Sequence, residues 1–143
     1  MIERCFCCER KGPVELDHPT GTTDGRHLHP DFTVPLCLSC HRLRSYVDRQ
    51  LGIDGGSLEG RPWLISRRLG AWFGVLVIPK RAILFDSDLL SWLARVLAEW
   101  GKPFVMRCLG IWFCTVAMTR KPVLFGPEVL ACLAQALSEW AEL

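Results

Sequence analysis

At 143 residues, 50% of them apolar and 22% charged, the chain suits one ordinary domain or two small ones and is too apolar to stay disordered. The formal charge of +2 points by itself to neither a nucleic-acid nor a membrane partner. The longest apolar runs, 71–78 and 108–118, fall well short of the roughly 20 residues that cross a bilayer. Met1-Ile2-Glu3-Arg4 leads into cysteines rather than a signal-peptide core, so the expectation is a cytoplasmic protein that does not use the membrane. Residues 1–50 hold seven basic and seven acidic residues and all four histidines, which confines imidazole chemistry to the first third. The chain contains no asparagine.

Cysteine spacing organises residues 1–50. Cys5-x-x-Cys8 and Cys37-x-x-Cys40 are two thiolate pairs 28 residues apart, the donor set of a structural tetrahedral Zn²⁺. Cys7, beside Cys8, remains an alternative ligand. Cys108, Cys114 and Cys132 fall in apolar stretches and read as small core residues in a reducing compartment. Between the pairs runs "LDHPTGTTDGRHLHPDFTVPLC", and His41 follows Cys40 directly. A plain zinc knuckle has no use for an imidazole at that point.

The first Cys-x-x-Cys, Asp17-His18, a glycine-containing loop and "VPLCLSCH" together resemble the zinc-stapled HNH endonuclease family over residues 4–50, about a third of the chain. The resemblance implies a ββα-metal fold in which a hairpin carries Asp17-His18 and a helix begins near Cys40. It also implies that Asp17 and His41 bind a catalytic Mg²⁺ or Mn²⁺ while His18 acts as the general base on DNA, leaving a 5′-phosphate and a 3′-hydroxyl. The family's central asparagine falls about five residues before the third cysteine, which is Phe32 here. His29 is expected to take over its work of tying the loop and orienting the base, with Asp31 and His27 as neighbouring alternatives. If none of them does, the chain is a non-enzymatic nucleic-acid-binding or adaptor module on the same fold. Arg42, Arg44 and Arg49 follow His41 on the expected helix, where Arg42 and Arg44 in particular can meet DNA phosphates.

Residues 51–62, "LGIDGGSLEGRP", carry four glycines and read as a linker. Residues 63–143 then repeat at an offset of 40, giving units 63–102 and 103–143. In each, an apolar run (70–78; 110–118) precedes a basic turn and a short apolar run (82–85; 122–125). Helix-start signals follow at Asp86-Ser87-Asp88 and Gly126-Pro127-Glu128. Leu89, Leu93, Val96, Leu97 and Trp100 fall at helical spacing, matched by Val129, Leu133, Ala136, Leu137 and Trp140. The expected fold class is therefore α+β, a small zinc-bound HNH domain followed by a duplicated ββα unit with a four-stranded antiparallel sheet and two helices. Lys80, Arg81, Arg120 and Lys121, if both turns share one edge, form a basic strip for a nucleic-acid backbone. The repeat's apolar content also suits homodimerisation or a protein partner. Trp63 and Trp92 have no counterpart in the other unit, and one of them is a candidate interface residue.

Overall fold

Short strands and one helix build the N-terminal third. In the computed structural model, which describes residues 2–23, 25–59, 61, 63–100 and 104–139, five short strands come first. They are β1 (Ile2–Arg4), β2 (Lys11–Asp17), β3 (Thr22–Thr23), β4 (Arg26–His27) and β5 (Val34–Cys37). β1, β2 and β5 form one antiparallel sheet in that order, while β3 and β4 pair with each other. Val34 and Leu36 turn inward, and Asp17 ends the β2–β5 ladder opposite Val34. Helix α1 (Leu38–Gln50) follows β5 without a loop, starting slightly before Cys40.

The described residues of 51–62 are not a slack linker. Ile53 and Leu58 are buried, a 3₁₀ turn spans Asp54–Gly56, and the Leu58 N–H donates to Thr22 O at 2.8 Å. The glycines there serve tight turns, Gly52, Gly55 and Gly56 all having positive φ.

The duplication is present, but each unit is helix–strand–helix. The chain continues as α2 (Leu64–Val77), β6 (Ile83–Phe85), α3 (Ser87–Trp100), α4 (Phe104–Met118), β7 (Val123–Phe125) and α5 (Pro127–Glu139). The first apolar run of each unit, expected to be a strand, is therefore the body of α2 or α4. A short apolar run does not distinguish a buried strand from a buried helix. Here burial decides, because Leu69, Trp72, Phe73 and Leu76 follow the i, i+3, i+4, i+7 helical period and are all buried. The basic turns end helices rather than joining strands, with Lys80 and Arg120 at φ 55 and 57. Their N–H groups donate to Val77 O and Ala117 O at 2.9 and 3.0 Å. Only β6 and β7 remain, so a two-stranded antiparallel ribbon replaces the expected four-stranded sheet. The expected helix starts are both present, with the Asp86 carboxylate accepting from Leu89 N–H at 2.8 Å and Pro127 opening α5.

The halves exchange partners, α2 packing on α5 and α3 on α4. The glycine that recurs in the repeat allows this. A Cβ on Gly70 would lie 2.9 Å from Ser138 N and 3.0 Å from Ala134 O, and one on Gly110 would lie 3.6 Å from Ala98 N and 3.5 Å from Ala94 O. These are equivalent contacts at the offset of 40. Alanine normally gains about 1 kcal/mol over glycine inside a helix, whereas overpacking costs about 1–3 kcal/mol. Against rigid backbone the clash wins. Gly70→Ala is therefore expected to lose about 1–2 kcal/mol in urea unfolding. Gly74→Ala, whose Cβ meets nothing within 4 Å, is expected to gain about 0.5–1 kcal/mol. Equal effects at the two positions would refute the close approach.

One hydrophobic core runs through both parts of the chain. Phe6 stacks on Trp72 at 6.0 Å and Phe32 on Trp92 at 5.8 Å between ring centroids, so Trp92 lies at an internal interface. Trp63 is exposed, and Trp112 is 42% exposed where its equivalent Trp72 is 1%. Cys108, Cys114 and Cys132 are exposed rather than core, and so is Val129, because the helices turn these positions outward. Trp140 lies outside the described residues. Among the described residues no helix is long and apolar enough to cross a membrane.

Candidate metal centre and histidine cleft

Two chain reversals bring the cysteine pairs together: the turn between β1 and β2 carries Cys5 and Cys8, and the β5–α1 junction carries Cys37 and Cys40. Their four sulfurs all lie within 4.8 Å of one another. Cys8 Sγ and Cys37 Sγ are 3.7 Å apart, against about 3.8 Å for the edge of a tetrahedron with 2.3 Å zinc–sulfur bonds. The donor set fits a structural zinc. Burial opposes ionisation of Cys5, yet backbone hydrogen bonds from Cys8, Cys37 and Cys7 outweigh it and bring its thiol down to about 7. Cys7 is not a ligand candidate. Its Sγ faces Val75 O at 3.5 Å, and burial pushes its thiol up to about 12.

A cleft of about 450 Å³ opens beside this centre, lined by Asp17, His18, His27, His41, Arg44 and Arg68 among others. Asp17 closes β2, His18 follows it, and His41 projects from the first turn of α1. His41 Nδ1 lies 2.7 Å from Glu15 Oε2 and donates there, while its Nε2 faces Asp17 Oδ1 at 3.9 Å. Asp17 is 3% exposed, and its Oδ2 is buried without a hydrogen-bond partner. Oδ2 has the Arg44 guanidinium at 3.9 Å as its ion-pair partner, so Asp17 Oδ1 and His41 Nε2 are the oxygen–nitrogen pair of the donor types that suit a hard divalent cation. Glu15 is not apparent from the motif, although strand period two already places it on the face of Asp17. Glu15→Gln is expected to weaken Mn²⁺ binding about 10-fold, the usual effect of removing a carboxylate behind a ligating histidine. Calorimetric titration of the zinc-loaded protein measures it, and unchanged affinity would remove Glu15 from the site.

His18 stacks on His27, with ring centroids 3.5 Å apart. Burial lowers the His18 pKa, and the like charge of His27 lowers it further. His29, expected to support His18, does not line the cleft. It is 7% exposed, with Nδ1 bonded to Thr20 Oγ1 at 2.9 Å and Nε2 facing Glu99 Oε2 at 3.2 Å. It thus ties the loop to α3 but does not touch His18, and the histidine beside His18 is His27. Phe32, at the expected asparagine position, is buried in the core against Trp72 and Trp92.

Arg44 was expected to contact DNA, but it points inward. It is 1% exposed and bonds Asp48 Oδ1 at 2.7 Å and Arg68 O at 3.2 Å. Burial, helped by the charge of Arg68, draws its pKa down to about 10, so it stays charged at neutral pH. Arg42 and Arg49 are exposed, and Arg49 borders the cleft. The four basic residues of the repeat do not share an edge. Antiparallel pairing of β6 and β7 puts their preceding turns at opposite ends of the ribbon. Arg81 is also engaged, donating to Cys7 O at 2.9 Å and pairing with Glu9, while Lys80, Arg120 and Lys121 are exposed.

No family model matches the chain, and no curated protein or solved structure matches it.

Proposed function

We propose that the chain is a metal-dependent endonuclease of the HNH type, hydrolysing DNA phosphodiester bonds with His18 as general base. The observation that carries this reading is the cleft itself, which is lined by Asp17, by His41, oriented by Glu15, and by His18. His18, its pKa lowered by burial and by His27, is neutral at pH 7 and able to accept a proton from an attacking water. Asp17 and His41 would hold Mg²⁺ or Mn²⁺, which when bound neutralises charge on the phosphate and on the leaving 3′ oxygen. The cysteine tetrad would hold a zinc that fixes the start of α1, and hence His41, against β2. Exposed Arg42 and Arg49 supply phosphate contacts, which makes binding salt-dependent.

A second reading, a nucleic-acid-binding module without turnover, is favoured by one observation. Phe32, at the asparagine's place, has been absorbed into the core, and His29 bonds Thr20 and Glu99 rather than His18. Incubating zinc-loaded protein with supercoiled plasmid separates the two. Nicking that requires Mg²⁺ or Mn²⁺ and disappears in Asp17→Asn supports the nuclease. Retained DNA binding with no nicking in either cation supports the module.

A further inference from the structure

The cleft has a wall that the nuclease motif does not supply. Arg68, near the start of α2, is 5% exposed and reaches out of the helical repeat to the turn carrying His18. Its Nη1 donates to His18 O at 2.5 Å, while its Nε and Nη2 hold Asp48 Oδ2 at 3.1 and 2.9 Å. We propose that Arg68 is a positioning residue for His18, so that the helical repeat completes the cleft; this rests on the nuclease reading of that cleft.

Three observations carry the proposal. The guanidinium is a rigid planar fork, so fixing two of its nitrogens on the Asp48 carboxylate also fixes the direction of the N–H aimed at His18 O. Asp48 is itself held by Arg44, so the fork is anchored to α1. Next, the surrounding loops are shaped to the guanidinium. Gly21 and Gly56 both have positive φ; a Cβ at Gly21 would run into Gly56 O and lie 3.0 Å from Arg68 Nη1, while one at Gly56 would lie 3.2 Å from Arg68 Nη2. Finally, the repeat provides an internal control. The equivalent of Arg68 in the second unit is Cys108, which is exposed. A helix–strand–helix unit therefore needs no arginine there. The residue serves the first unit's contact with the His18 turn.

The test compares Arg68→Met, Arg68→Lys and a core control, Leu137→Ala in α5, in the zinc-loaded full chain. Two readouts are taken: plasmid nicking resolved into kcat and KM, and the NMR ring signals of the stacked His18 and His27. Arg68→Met is expected to lower kcat by about 10–100-fold, the scale of a misplacement near 1 Å, with KM changed less than about twofold. It is also expected to shift the His18 and His27 ring signals. Arg68→Lys, which keeps the charge but loses the fork, should recover only part of each. Leu137→Ala should leave kcat and the ring signals unchanged. Ring signals unmoved in Arg68→Met overturn the proposal, as does a Leu137→Ala variant that reproduces both losses. If Arg68→Met fails to fold, Arg68→Lys carries the comparison, and wild-type ring signals in it overturn the proposal. If the wild type does not nick DNA, the nuclease reading fails and the ring signals alone decide the positioning role.

Discussion

Replacing His18 with alanine is expected to lower cation-dependent plasmid nicking by about 10²–10⁴-fold, the usual contribution of a general base, with zinc content and DNA affinity unchanged. The environment of His18 also sets the expected pH dependence. Burial and then the charge of His27 lower its pKa below the ordinary value of 6.5. The active form of a base is the unprotonated one, so nicking should rise with pH through a midpoint below 6.5. His27→Ala removes the like charge and should move the rising limb to higher pH. Measuring initial nicking rates in the three proteins from pH 4.5 to 9 checks both statements. A His18→Ala protein as active as the wild type would assign the base elsewhere. So would a wild-type rate that still climbs above pH 8.

Removing the metal from the cysteine tetrad should unfold the N-terminal third while α2–α5 persist. Structural zinc in small peptides contributes about 10–16 kcal/mol of apparent binding free energy, as much as the whole net stability of a typical domain. Strands of two to seven residues and one 13-residue helix have no comparable reserve. The helical repeat does have one, since it supplies most of the shared core, including the fully buried Phe73, Leu76, Leu90, Phe113 and Leu137. Chelation should therefore abolish amide protection in β2, β5 and α1 and leave most of the helical circular dichroism. It should also redden tryptophan emission, because Trp72 and Trp92 lose their cover of Phe6 and Phe32. Protons compete with metal for thiolates, so the same change should appear without chelator as pH falls. Cys37→Ala should resemble the chelated protein. Unchanged emission and amide protection after verified metal removal would show that the tetrad is not structural.

What could be read from the chain was local. Cys-x-x-Cys places two sulfurs on one turn whatever surrounds it, and the described tetrad is the one that this spacing suggests. Asp86 and Pro127 mark helix starts for equally local reasons, a side chain that accepts from the third N–H beyond it and a ring with no N–H to lose. The errors came where packing chooses between local options. The run Ala71–Ile78 has no alternation to mark a strand and no polar stripe to mark an amphipathic helix, since α2 is covered on most sides. Arg44 looked like a surface cation because its neighbours Arg42 and Arg49 are exposed. Its register on α1 instead points it at Asp48 and at Arg68 from a distant helix. His29 and His27 are two residues apart in one loop, and only the folded loop decides which one meets His18.

The sequence by itself determined the cysteine tetrad, the duplication at an offset of 40, the helix starts, and the adjacency of Asp17 to His18 and of His41 to Cys40. Each depends on neighbours a few residues away or on counting. Only the tertiary structure decided that the repeat is helical, that Glu15 holds His41, that His27 rather than His29 stacks on His18, and that Arg68 crosses from the second part of the chain into the cleft. Those contacts join residues 9 to 50 positions apart, or depend on which face of a helix is covered. A buried charge takes whichever partner the fold brings within reach, because leaving it without one costs several kcal/mol.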